Sequence, residues 1–350
     1  MNKTSDYIDK WEAVIGLEVH VQLNSKTKMF TPSEWSYGES PNTQTCPITL
    51  GYPGTLPTIN ISAVKKGILI GLSLNCDINN VTKFSRKHYF YPDLPKGYQI
   101  TQFDSPLCEN GYIDLDANKK IRITRAHLEE DAGKTIHTLE GDALIDYNRC
   151  GAPLLEIVSA PDMSSAEDAL GYLKSLKEII TSIKASDCDM EKGNLRVDLN
   201  ISVMPKGSKQ LGTRREVKNV NSFKNIEKAI HYEFTNQCQK IEAGGTIDQE
   251  TLLWDDKNGV TRSIRSKEDA HDYRYLPEPD LPPLEISDDL IREIKEMIPE
   301  LPNQIRQTLS SKCLLKNDQI DFLIGHRDLL DYYKIMCNDN LTNSQKYFNW

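Results

Sequence analysis

IGLEVHVQL, residues 15–23, alternates without a break. Ile15, Leu17, Val19, Val21 and Leu23 fall on one side of an extended chain, and Gly16, Glu18, His20 and Gln22 on the other, because strand side chains alternate with period two. One face is core. The other carries a carboxylate and an imidazole two residues apart, beside a glycine that lets something come close.

Two other stretches repeat the pattern. In RVDLNISV (196–203) Val197, Leu199, Ile201 and Val203 oppose Arg196, Asp198, Asn200 and Ser202, and in RREVKNVN (214–221) Glu216 and Lys218 share a face. The densest polar stretch, RAHLEEDAGKT (125–135), has Glu129, Glu130 and Asp131 in a row between His127 and Lys134. Adjacent carboxylates repel unless a cation or solvent separates them. Each stretch alone reads as a solvated strand surface or acidic turn. An antiparallel sheet that laid them side by side would gather Glu18, His20, Glu129, Asp198, Asn200, Glu216 and Lys218 into one concave floor. Such an oxygen-rich floor suits magnesium and the phosphates of a nucleotide.

A further stretch, KFSRKHYFYPDLPKGYQ (83–99), interleaves Lys83, Arg86, Lys87 and Lys96 with Phe84, Tyr89, Phe90, Tyr91 and Tyr98. Cations beside aromatics can bind phosphate and stack a base, or can snorkel from a half-buried strand. The GKT at 133–135 is not a phosphate loop, since that pattern needs glycine where Leu128 stands. A dinucleotide fingerprint and a nucleophile elbow are both missing. By residue chemistry alone the chain reads as a magnesium-dependent phosphotransferase or ligase.

Around these strands the pattern is mixed. Ser165 and Asp168 form a capping box ahead of an apolar stripe through Ala169, Leu170, Leu173, Leu176, Ile180 and Ile183. Another helix is expected from about Ser62 to Asn75, and a third capped by Asn221 and closed by Gly244 and Gly245. Strands and helices neither alternate strictly nor segregate, so the fold class expected is α+β. LPEPDLPPL (276–284), with four prolines, reads as a rigid extended linker, and beyond it only helical periodicity remains. The expected units are 1–285 and 286–350.

The 350-residue chain has a formal charge of −9, so any nucleic-acid contact must come from local patches rather than the global field. Its eight cysteines form no Cys-x-x-Cys pair, which argues against structural zinc and for a reducing compartment. No apolar run is long enough to span a bilayer, and the N-terminal stretch has no signal core.

Taken in order, IGLEVHVQL, KHYFYPDLPKGYQI, HLEEDAGK, LRVDLNISV, KNVNSFKNIEKAI and HDYRYLPEPDLPPL closely resemble the B-subunit family of the glutamyl-tRNA(Gln)/aspartyl-tRNA(Asn) amidotransferases. The resemblance is strong over about residues 12 to 285 and looser beyond. It implies a cradle-like domain related to glutamine synthetase and guanido kinases, followed by a helical domain. It implies ATP and Mg2+ as cofactors, phosphorylation of the side-chain carboxylate of Glu-tRNA(Gln) or Asp-tRNA(Asn), and amidation by ammonia. The implied partners are an amidase A subunit, a small C subunit and the misacylated tRNA, with no membrane. The implied location is the bacterial cytoplasm, with an organelle matrix as the alternative.

By the same resemblance Glu18, His20, Glu129, Glu130 and Glu216 are candidate magnesium ligands, and Asp198 joins them as a catalytic carboxylate. Lys83, Lys87, Lys218 and Asn200 are candidates for holding the nucleotide. A stand-alone carboxylate-amine ligase and a tRNA-binding scaffold with a dead kinase site are the alternatives. Two departures from the family pattern stand out. CPITLG has Thr49 where many members have a second zinc-binding cysteine, and NRCGAPLLEIVSAPD has Ala160 where glutamate is usual, so no function is placed in that stretch. Family members also continue past this length, so 286–350 is expected to be an incomplete helical domain lacking the small tRNA-gripping tail domain.

Overall fold

The computed structural model describes residues 7–115, 119–138, 140–266, 272–339 and 344–349. IGLEVHVQL lies in the strand Trp11–Gln22, near the middle of a twelve-stranded sheet. On one side it pairs antiparallel with Pro153–Ser159, which pairs with Lys120–Glu130. On the other it pairs antiparallel with Leu195–Pro205, which pairs with the short strand Arg215–Lys218. Glu250–Asp255 and Val260–Ser266 extend this edge, the pairing of Arg215–Lys218 with Glu250–Asp255 being parallel. Toward the opposite edge, Lys120–Glu130 meets Cys108–Asp114 and also Tyr98–Thr101, which leads to Ser85–His88.

The two faces of the sheet separate as period two dictates. Ile15, Val19 and Val21 are fully buried, and Leu17 and Leu23 nearly so, in a core that includes Leu199, Ile201, Leu155, Ile157 and Leu128. Three helices pack into that core, Ile61–Ser73, Ala166–Ser182 and Phe223–Glu242. Asn60 caps the first by accepting from the Ser62 and Ala63 amides at 3.0 and 3.2 Å. The second has the expected capping box, with Ser165 and Asp168 exchanging side-chain bonds to each other's backbone. For the third the cap is Ser222, whose hydroxyl accepts from the Asn225 amide at 3.1 Å. Asn221, expected in that role, instead donates its side-chain amide to the Asn219 side chain at 2.7 Å. Gly244, at φ +81°, ends this helix in the left-handed conformation that glycine favours.

LPEPDLPPL is extended but is not a free linker. Leu276–Pro277 adds an edge strand to Ser85–His88, and Leu284–Glu285 pairs with Val81–Thr82. Between them Glu278, only 4% exposed, receives two bonds from the Arg86 guanidinium, at 2.8 and 2.9 Å. The helix Asp288–Glu296 follows, capped by Ser287, and packs Ile294 into the large core. A second core begins at Ile305 and gathers Leu309, Ile320, Leu323, Leu330 and Tyr333 from the helices Pro302–Cys313, Asn317–Gly325 and Arg327–Asp339. Arg306 ties the two cores by bonding Glu178 and Asp321, each at 2.9 Å. Among the described residues no helix is long and apolar enough to cross a membrane.

Candidate functional site

The polar face is assembled by strand register. His20 stands opposite Glu156 on one side and Arg196 on the other, and Glu156 stands opposite His127, so one row runs His127, Glu156, His20, Arg196 across four strands. Two residues away, Glu18 stands opposite Asp198. In the next row Gly16, Asn200, Glu216 and Thr251 line up across four strands. The position above Gly16 is bordered by the chain itself, where a methyl group would rest in ordinary contact with Ser159 O at 3.8 Å and Pro161 Cα at 3.9 Å.

Among the described residues the face holds two donor sets rather than one common cluster. His20, Glu129 and Glu156 form the first, and Glu18, Asp198 and Glu216 the second; within each, one ligand atom per residue lies within 4.8 Å of the others. In the first set Glu156 Oε2 is 3.4 Å from His20 Nε2 and 3.3 Å from His127 Nε2, and Glu129 is 3.8 Å from each imidazole. Thr101 donates to Glu129 Oε2 at 3.1 Å. In the second set Asn200 Nδ2 donates to Glu18 Oε1 at 2.9 Å, and Thr251 donates to Glu216 Oε2 at 3.0 Å. Lys218 Nζ lies 2.5 Å from Asp198 Oδ2 and 2.8 Å from Glu216 Oε1.

Charge and burial set the protonation of these groups. Burial opposes the charged imidazolium of His127, but its hydrogen bonds to Glu129 and Glu156 override that and lift its pKa to about 9. His20 is raised in the same sense: burial pulls it down and Glu156, then Glu129, outweigh that. Burial acts to raise the carboxyls of Glu129 and Glu156, yet the histidines hold both below the usual range. Glu18 goes the other way, raised by burial and then by repulsion from Glu156. The two sets therefore share one electrostatic floor.

Glu130 does not reach that floor. Period two turns it to the opposite side of the sheet from Glu129, where it forms a buried ion pair with Lys96 and accepts from the Ile100 amide at 3.0 Å. Lys83 is exposed at the surface, whereas Lys87 and Lys218 line a cavity of about 390 Å³ with Tyr89, Tyr91, Thr251, Ile264 and Tyr273. Lys87 Nζ sits 4.7 Å over the Tyr273 ring. Burial would depress Lys87, but Glu129, the neighbouring tyrosines and Glu156 keep it above its ordinary value. At the His20 end a second cavity, about 620 Å³, is lined by Gln22, Arg149, Arg196, Lys134, Trp35 and Tyr37 among others.

Three residues of the site escaped the sequence reading. Glu156 lies in the very stretch where no function was expected, and its signal is a lone carboxylate inside the apolar run PLLEIVS. His127 was visible as a flank of the acidic run, two residues from Glu129, and that spacing puts both on one face. Arg196 was legible on a polar face but not as the partner of Asp131, which it meets at 2.9 Å. Near the CPITLG motif Cys46 Sγ lies 3.4 Å from the Thr31 hydroxyl and 3.3 Å from that of Thr49.

A sheet that buries a core on one side and holds two carboxylate sets beside two cavities on the other is the frame of a catalytic domain. The chain belongs to the GatB/GatE catalytic domain family, whose model matches residues 13–292. Among curated relatives, the B subunit of aspartyl/glutamyl-tRNA(Asn/Gln) amidotransferase from Caldicellulosiruptor bescii is 48% identical over 345 residues, 97% of this chain and 72% of that protein. Its counterpart of the same name from Trichlorobacter lovleyi is 49% identical over 344 residues, with the same coverage. That from Coxiella burnetii is 48% identical over 347 residues, 97% of this chain and 73% of that protein.

Proposed function

We propose that this chain is the B subunit of a tRNA-dependent amidotransferase, an ATP-dependent carbon–nitrogen ligase. It activates the side-chain carboxylate of Glu-tRNA(Gln), Asp-tRNA(Asn) or both as an acyl phosphate, and ammonia then displaces the phosphate to leave the amide. The observation that carries this reading is the pairing of two hard-donor sets with a lysine- and tyrosine-lined cavity, in a chain of this family.

The donor chemistry fits magnesium. Carboxylate oxygens dominate both sets, with His20 as the one nitrogen, and Mg2+ favours such oxygens while keeping several waters. His20, Glu129 and Glu156 would hold one ion, and Glu18, Asp198 and Glu216 another. Bound there, Mg2+ supplies charge neutralisation as the γ-phosphoryl group moves. The protein's own part is positioning. Asn200 fixes Glu18, Thr251 fixes Glu216 and His127 fixes Glu156 and Glu129, so these four carboxylates are held in place before a metal or substrate arrives. Lys87 and Lys218 would hold the phosphates of a nucleotide in the cavity they line, and Tyr89 and Tyr273 would offer faces for its base. The cavity beside Arg196, whose walls carry Arg149, Lys134 and Lys192 against Glu39, Asp146 and Glu191, would take the anionic end of the acyl-tRNA.

A mostly antiparallel sheet with an acidic face also supports kinship with glutamine synthetase and guanido kinases, for a cradle whose core takes in the helix Asp288–Glu296 and a helical unit beyond it. The relatives' designation as a subunit supports assembly with an amidase A subunit and a small C subunit. Bacterial relatives support a place in the bacterial cytoplasm. The test is reconstitution of the three subunits with glutamine, ATP, Mg2+ and each misacylated tRNA in turn. Amidated tRNA formed only with ATP is expected; ATP turnover and amidation indifferent to charged tRNA would sink the assignment in favour of a small-molecule ligase.

A further inference from the structure

Lys218 belongs to two places at once. Its ammonium bridges Asp198 and Glu216 at 2.5 and 2.8 Å, and its side chain also lines the cavity walled by Lys87, Tyr89 and Tyr273. The side chain is 40% exposed, against 18% and 24% for the carboxylates it bridges. It stands at the last position of the strand Arg215–Lys218, and Asn219 leaves that strand at φ +65°. A flexible four-carbon stem lets such an ammonium swing without disturbing the sheet.

We infer that Lys218 is a tethered cation that excludes a divalent ion from Glu18, Asp198 and Glu216 until a nucleotide enters the adjoining cavity and draws the ammonium onto its phosphates. The inference rests on the function proposed above and adds an order to it. Asp198 and Glu216 cannot ligate a divalent ion at full strength while an ammonium occupies the same oxygens, because two cations at contact distance repel. The exchange returns the charge elsewhere: as Lys218 leaves, it meets the phosphates beside Lys87, and the vacated carboxylates are neutralised by the incoming ion. At the other donor set no side chain can swing out toward the nucleotide in this way. His127, which answers Glu129 and Glu156, is 5% exposed and is held within the sheet.

Counting bound Mn2+ on the 350-residue chain, by electron paramagnetic resonance of the free ion, tests the exchange without reference to activity. The wild-type chain is expected to bind one ion alone and a second only when adenylyl imidodiphosphate is added. Lys218→Met is expected to bind the second ion without nucleotide, at least about tenfold more tightly than wild type, the factor for a site otherwise open a tenth of the time. Lys218→Arg, which restores the positive charge, is expected to return the count to one. Two ions on nucleotide-free wild type, or no gain from Lys218→Met, would overturn the gate and leave the proposed function standing. No Mn2+ bound to wild type with or without nucleotide would remove the cation sites and the gate together.

Discussion

The two halves of the polar floor differ in what balances their carboxylates. At the His20 half the countercharges are imidazoles from interior strands, His127 being almost wholly buried. At the Glu18 half the countercharge is one half-exposed lysine on a four-residue strand near the sheet edge. Removing an ion pair's partner from the interior leaves a buried charge, whereas an ammonium on a half-exposed, flexible stem can exchange its carboxylates for phosphate. One half is thus preorganised and the other is exchangeable, and a reaction that must bind and release a charged nucleotide uses both properties.

The contrast breaks most severely at Glu156. In the assembled enzyme Glu156→Gln is expected to lower tRNA-dependent ATP hydrolysis by about a thousandfold, since it removes the charge shared by both imidazoles. Turnover near wild type would show that the interior half is scaffolding. A second experiment separates adjacent glutamates. Glu130→Gln leaves the buried Lys96 without its counterion, so denaturant unfolding should show a loss of about 3 kcal/mol, with the residual folded enzyme keeping its ATPase activity. Activity lost in the folded fraction would put Glu130 back among the ligands.

The pH dependence is the mildest test. His127 titrates near 6.5 when unfolded and near 9 when folded, so its contribution is complete below about pH 6.5 and is lost as pH rises through about 9. The metal-free chain should therefore lose up to about 3 kcal/mol of stability across that window, measured by denaturant melts at each pH. His127→Gln should flatten the curve. An unchanged slope in that variant would mean another group carries it.

How much of this was written in the sequence follows from range. The alternation at residues 15–23 and the Ser165 box are local, and both appear in the structure where the pattern put them. The cap of the third helix missed by one residue because Asn221 and Ser222 are both good caps and only the Asn219 contact removes Asn221 from the role. The mixed α+β character was legible as well. The floor's division into two donor sets was not, because it depends on Trp11–Gln22 lying between strands that begin at residues 153 and 195. Glu156 was hidden for the same reason: a carboxylate among leucines and isoleucines acquires a purpose only once His20 and His127 stand on either side of it. Lys83, Lys87 and Lys96 looked equivalent in a basic stretch, yet they end up at the surface, over Tyr273 and against Glu130 respectively.

The clasp between Glu278 and Arg86 has a practical corollary for anyone dividing this protein. The prolines from 277 to 283 invite a cut, but that ribbon shields the outermost hydrogen-bonding row of Ser85–His88, from which Lys87 reaches into the lysine- and tyrosine-lined cavity. A fragment stopped at residue 275 would bare an unprotected sheet margin, prone to sticking to its neighbours, and would loosen a wall of the chamber. A division made between residues 301 and 305, where one hydrophobic cluster gives way to the next, keeps the ribbon sewn in place.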